Sequence, residues 1–282
     1  MQKLLVANRG EIAIRVMRAA NELDIATVAV HSDDDATSLH TRVADESVAL
    51  NGRGASAYLD IDGVVAAATT AGCDAVHPGY GFLAENSAFA AACEAAGLTF
   101  VGPTPQHLGL FGDKVAARAL AAELHVPLLP GINGSTTLAE AEAFLDEHGA
   151  MMIKALAGGG GRGIRPVRRG EDVAAAFERC QSEARAAFGN GEVYVERLIE
   201  RARHVEVQII GDGTVVSHLG ERECTLQRQH QKIIEIAPSP TLPDETRAML
   251  TEAATRMAGH AGYRSLGTWE FLVDADDPTI VA

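Results

Sequence analysis

The chain has 282 residues, a length that suits about two domains at roughly 150 residues each. It is 47% hydrophobic and 22% charged, the balance of a soluble globular protein, and at 5% aromatic its core must rest on Ala, Val, Leu and Ile. The formal charge of −14 argues against non-specific nucleic-acid binding, which needs a basic footprint.

In chain order, residues 3–7 form a short apolar run that reads as a strand, and the loop Asn8-Arg9-Gly10 follows. From Glu11 onward, Ile12, Val16, Ala19, Ala20 and Leu23 recur at helical spacing. Residues 27–31 are β-branched and apolar, which completes a β-α-β unit with buried parallel strands. The alternation repeats with strands at 47–50, 75–77 and 99–101 and helices at 62–70 and 85–96. Residues 1–102 are therefore expected to be a doubly wound α/β domain with a parallel sheet.

Gly102-Pro103-Thr104-Pro105 punctuates the chain, and a connecting helix is expected within 103–126, at 113–124. A small α+β module follows over 127–199. It has helices at 138–147 and 171–188 and strands at 151–155, 164–167 and 193–198, with Gly149 as a helix stop. The last part, 200–282, opens with a hairpin of 204–210 and 214–218 over the turn Gly211-Asp212-Gly213. A helix at 243–260, a strand at 265–273 and the start of another at 280–281 complete it.

Cys73, Cys93, Cys180 and Cys224 form no CxxC pair and suit neither a zinc site nor a disulfide framework. Scattered thiols point to a cytoplasmic protein. The N-terminal apolar run is too short for a signal peptide, and no stretch approaches the roughly 20 apolar residues of a membrane span. No membrane partner is expected.

Four segments carry chemistry. The first is Lys154-Ala-Leu-Ala-Gly158-Gly159-Gly160-Gly161-Arg162-Gly163, where glycines let backbone N–H groups approach a phosphate and the two cations flank it. It matches neither a P-loop nor a dinucleotide fingerprint. A phosphate-covering lid is favoured over a plain flexible turn. The second runs from Glu221 to Lys232, where Gln227, Arg228, His230 and Lys232 concentrate donors suited to an anion. A solvated surface loop is an equal reading of that segment. The third is Trp269-Glu270-Phe271, whose alternation alone turns Glu270 outward, away from its aromatic neighbours. The fourth, His77-Pro-Gly-Tyr-Gly-Phe-Leu-Ala-Glu85-Asn86, ends a parallel strand where open α/β sheets bind ligands, but by itself is read slightly in favour of a rigid Pro-Gly turn with a helix-starting acid.

Together these residues resemble one family. ANRGEIAIRVMRA at Ala7, HPGYGFLAEN at His77, FVGP at Phe100, GDKVAAR at Gly112, IKALAGGGGRG at Ile153, RHVEVQI at Arg203, ERECTLQRQHQK at Glu221 and GTWEF at Gly267 are similar, in order, to the biotin carboxylase component of biotin-dependent acyl-CoA carboxylases. The resemblance implies an N-terminal α/β domain, then an ATP-grasp lid, then the start of the large ATP-grasp subdomain. It implies that Lys114 and Lys154 contact ATP, that Gly160 and Gly161 cover its phosphates, and that Glu196, Arg197, Leu198 and Ile199 form the adenine hinge. His204 and Gln227 would meet the ribose or phosphates, and His230 would be a further ATP-site residue. Lys232 would position bicarbonate and Glu270 would bind the metal. The implied cofactors are ATP, Mg²⁺ or Mn²⁺, and biotin carried elsewhere. The implied partners are bicarbonate, a biotin carboxyl carrier domain, a carboxyltransferase and further copies of the chain in a homo-oligomer.

The sequence departs from the family pattern at Ile236, where a second glutamate is common, at Ile164 and Pro166 after the lid, and at Arg197, where lysine is common. The segment that, by the resemblance, supplies the family's second metal carboxylate, a bicarbonate-binding arginine and the general base is not among the 282 residues. The expectation is therefore that this chain by itself does not carboxylate biotin. Another ATP-grasp ligase, or a non-catalytic nucleotide-binding or assembly module, are the alternatives.

Overall fold

A computed structural model describes residues 1–157, 163–228 and 231–282. The chain divides into two compact units. One is 1–112 with 264–266, and the other is 113–263 with 267–282.

The first unit is built on β1 (Lys3–Val6), β2 (Ala26–His31), β3 (Glu46–Ala49), β4 (Ala75–His77) and β5 (Thr99–Phe100), in the order β3-β2-β1-β4-β5. The paired strands all run parallel. Alternation splits the sheet's side chains between two cores. Leu4, Val6, Ala29 and Ala75 face α1 (Gly10–Asn21), whose Ala13, Val16, Met17 and Ala20 are buried against them. Leu5, Val28, Val30 and Val76 face the other side, with Val64 and Ala68 of α3 (Ile61–Thr70) and Phe89 and Cys93 of α4 (Ser87–Ala95). Helices on both faces make this the expected doubly wound α/β fold. A short helix, α2 (Leu39–Val43), precedes β3. The first unit continues past residue 102 through α5 (Pro105–Gly112), which packs beside α4. The Gly-Pro-Thr-Pro signal marked its start, and its weak apolar stripe left it unread.

The second unit opens with α6 (Lys114–Glu123). Asp113 caps it by accepting from the N–H groups of Val115 and Ala116, which sets Lys114 as the first helical residue. A three-stranded antiparallel sheet follows, ordered β7 (Ile164–Arg168), β6 (Ala150–Ala155), β8 (Val193–Arg197). Alternate residues Met151, Ile153, Val167, Val193 and Val195 turn to a core covered by α7 (Leu138–His148) and α8 (Val173–Phe188). Thr137 and Glu140 form a reciprocal capping box on α7, and Gly149 ends the helix at φ +77°.

A four-stranded sheet carries the rest, in the order β11 (Gln231–Ile236), β10 (Val216–Arg228), β9 (Ala202–Asp212), β12 (Arg264–Asp274). Val205, Val207 and Ile209 turn inward, and the buried Leu250, Ala253, Ala254 and Met257 belong to α9 (Asp244–His260), which packs on β9 and β10. The segment from Glu221 to Lys232, for which a surface loop was one expectation, lies in β10 and the start of β11 over its described residues. Polar residues mask the pattern because two inward acids, Glu221 and Glu223, are buried against Arg247 and Arg203. At the far end, the expected strand at 280–281 is a single antiparallel bridge between Val273 and Val281. No helix among the described residues is long and apolar enough to cross a membrane.

Candidate active site

The large sheet sends one functional side chain from each strand to the same place. Arg222 of β10 lies directly across from Glu206 of β9. Glu206 is buried, and both its oxygens are engaged. One accepts from Nε of Arg222 at 2.9 Å and also from Nη2, and the other accepts from Nζ of Lys232 on β11. Lys232 Nζ also donates to Glu270 of β12, at 2.6 Å. Burial works against the Lys232 ammonium, but the bonds to Glu206 and Glu270 outweigh it and hold its pKa well above the usual lysine range. Burial likewise raises Glu206, and its two cations overcome that and hold it below the ordinary glutamate value.

His204 lies two residues before Glu206 on the same face of β9. Burial lowers its pKa, and it feels the charges of Glu270, Lys232, Lys154 and Glu206. It therefore stands within electrostatic reach of a second cluster. In that cluster Lys154 of β6 donates to the buried Glu196 of β8, diagonally across the strand pair, and Arg118 lies 3.6 Å from the other Glu196 oxygen. Lys114 Nζ donates to the Ala155 carbonyl at 3.1 Å. Burial, and next the neighbouring Lys154, lower the Lys114 pKa.

Of the expected site residues, Lys232 and Glu270 thus fall in one cluster and Lys114, Lys154 and Glu196 in the other. Gln227 is half-buried and turned back onto the Cys224 carbonyl at 3.0 Å. Within the expected hinge, the Arg197 N–H is taken by Pro130 and the Leu198 N–H points to Ala150, while the Glu196 carboxylate lies against Lys154 and Arg118 and Ile199 is buried. Gly160, Gly161 and His230 lie outside the described residues. The sequence reading passed over Glu206 and Arg222. The signal was there in RHVEVQI, where His204, Glu206 and Gln208 alternate with three core residues, so the polar set shares one face.

Two places among the described residues offer carboxylates to a cation. Glu206, Cys224 and Glu235 bring ligand atoms within 4.8 Å of one another. Both Glu206 oxygens are already bound by cations, and burial pushes the Cys224 thiol up to about 12, so that group is a poor metal site. Glu270, with 64% of its side chain exposed beside Lys232, suits a hard cation that takes one protein carboxylate and completes its shell with phosphates.

Comparison with known proteins fits this layout. The family described as "Biotin carboxylase, N-terminal domain" matches residues 1–108, and "Carbamoyl-phosphate synthase L chain, ATP binding domain" matches residues 113–281. The Campylobacter jejuni biotin carboxylase, solved with a β-γ-ATP complex, superposes with a TM-score of 0.94 at 40% identity, over 98% of this chain and 63% of that one. The chain belongs to the biotin carboxylase family. The biotin carboxylase domain of Hydrogenobacter thermophilus 2-oxoglutarate carboxylase, solved with MgADP, ADP and bicarbonate, has a TM-score of 0.91 and 42% identity, over 98% of this chain and 62% of that one. Pyruvate carboxylase from Bacillus subtilis is 53% identical over 280 residues, which is 97% of this biotin carboxylase chain and 24% of the relative. The chain thus spans about a quarter of the length of the curated relatives it matches. Those relatives are pyruvate carboxylases, and the expected acyl-CoA link gains no support from them.

Proposed function

We propose that this chain provides the nucleotide site and the Lys232 side of the bicarbonate site of a biotin carboxylase, the part of a larger enzyme that uses ATP and bicarbonate to carboxylate biotin on a carrier domain. The observation that carries the reading is the convergence of Glu206, Arg222, Lys232 and Glu270 from four adjacent strands, beside which the chain also brings Lys154 and Glu196 together. A 2-oxo acid is the favoured final acceptor over an acyl-CoA, because the curated relatives are pyruvate carboxylases.

Phosphoryl transfer is mostly positioning and charge neutralisation. Lys114 and Lys154 supply cations to the phosphates, and Glu196 and Ile199 meet the adenine. A bicarbonate oxygen attacks the γ-phosphorus as ADP leaves, and the resulting carboxyphosphate breaks down to phosphate and CO₂ for the ureido nitrogen of biotin. Lys232, held as an ammonium by its two acids, orients the bicarbonate. Glu270 would hold Mg²⁺, which neutralises phosphate charge when bound. Carrier domain, carboxyltransferase and homo-oligomer partners belong to the same proposal.

Isothermal calorimetry with MgADP and MgGDP tests the reading. We expect saturable MgADP binding and much weaker MgGDP binding. Absence of MgADP binding by the folded chain contradicts it.

A further inference from the structure

Arg222 is a cation of this face to which the proposed chemistry gives no part, although it makes the most directional contacts there. Its Nε and Nη2 both reach the same Glu206 oxygen, and its Nη1 donates to the Gln208 side-chain oxygen at 2.9 Å. Its Nε also lies 3.6 Å from Glu235. We infer that Arg222 is a positioning residue that locks Glu206, and through it Lys232, for bicarbonate. This rests on the proposed function.

The argument is geometric. A guanidinium presents its donors in a fixed plane, whereas a lysine ammonium is a point charge on a flexible stem. Lys232 therefore does not fix Glu206; Glu206 fixes Lys232. The Lys232 ammonium is shared between Glu206 and Glu270. When Glu270 turns to a cation, Lys232 keeps Glu206 as its anchor, and the rotamer of Glu206 then sets where the ammonium points. Arg222 holds that rotamer from the cross-strand position, and Gln208 holds Arg222 in turn. Without Arg222, Glu206 loses both guanidinium hydrogen bonds and closes onto Lys232. Glu235 and Glu206 would also face each other without the cation between them.

The test is a calorimetric bicarbonate titration of the chain saturated with MgADP, for wild type, Arg222→Gln and Arg222→Lys, with melting curves for each. We expect Arg222→Gln to weaken bicarbonate roughly tenfold or more, the scale of a lost charged hydrogen bond, while MgADP affinity stays within about twofold. Arg222→Lys, which keeps the charge and loses the fork, should stay weak for bicarbonate, and it carries the test if Arg222→Gln does not fold. Bicarbonate affinity equal to wild type in the folded variants overturns the proposal. So does a parallel loss of MgADP affinity, which marks a merely structural role, or a wild type that binds MgADP without bicarbonate. Failure of the functional reading shows separately, as wild type that binds no MgADP.

Discussion

Lys114 shows how a single residue can be tuned by its surroundings. Burial and the nearby Lys154 lower its pKa, so its ammonium gives up its proton more readily than a free lysine, whose pKa is ~10.4. Bound phosphates favour the charged form and raise the pKa again. The sign follows: affinity gained from Lys114 is fully present below its pKa in the free chain and is lost as pH rises through its pKa in the complex. MgADP affinity should therefore weaken with rising pH, beginning below the ordinary lysine range. Lys114→Met should bind MgADP more weakly at neutral pH, by about 1.5–3 kcal/mol for a lost charged contact, and should lose this pH dependence. Calorimetry across a pH series decides the point, and a variant with the wild-type pH profile would sink the assignment. At this scale the sequence singled out Lys154 and Lys232 as cations suited to an anion, and the structure shows the carboxylates that hold them. Glu206 was hidden because its role depends on cross-strand neighbours far off in sequence, Arg222 and Lys232.

Helix ends and strand patterns govern the next scale. The α7 capping box satisfies N–H groups that a helix start leaves open, with the Thr137 hydroxyl accepting from the Glu140 N–H at 3.3 Å and the Glu140 carboxylate accepting from the Thr137 N–H at 2.8 Å. Thr137→Ala should cost about 1 kcal/mol in denaturant unfolding and leave nucleotide affinity within about twofold. A loss under about 0.3 kcal/mol would show that the box contributes nothing there. Glycine stops and alternating apolar residues made β6, β8 and α7 readable from the sequence alone. The Glu221–Lys232 segment was not, because binary patterning expects apolar residues on the inward face of a strand. Here that face carries Glu221 and Glu223, each neutralised by an arginine from another element or strand, which sequence periodicity does not reveal.

For the whole molecule, the doubly wound first unit was legible because its β-α steps bury the central strands between two helical layers, and the two cores of the sheet follow from that alternation. The four-stranded sheet of the second unit was less so, since its order β11-β10-β9-β12 brings a late strand beside an early one, across α9. That crossover is what delivers Glu270 to Lys232. The chain also carries a formal charge of −14 while the proposed ligands are anions. Long-range attraction therefore gives little help, and capture must rest on local cations such as Lys114, Lys154 and Lys232. The most direct measurement is ¹³C NMR of labelled bicarbonate with the MgADP-saturated chain, compared between wild type and Lys232→Gln. The account predicts bicarbonate line broadening and saturable binding in wild type that is reduced at least about tenfold in Lys232→Gln, the loss expected for one charged contact, with MgADP binding retained. Equal bicarbonate binding in the two proteins would contradict it.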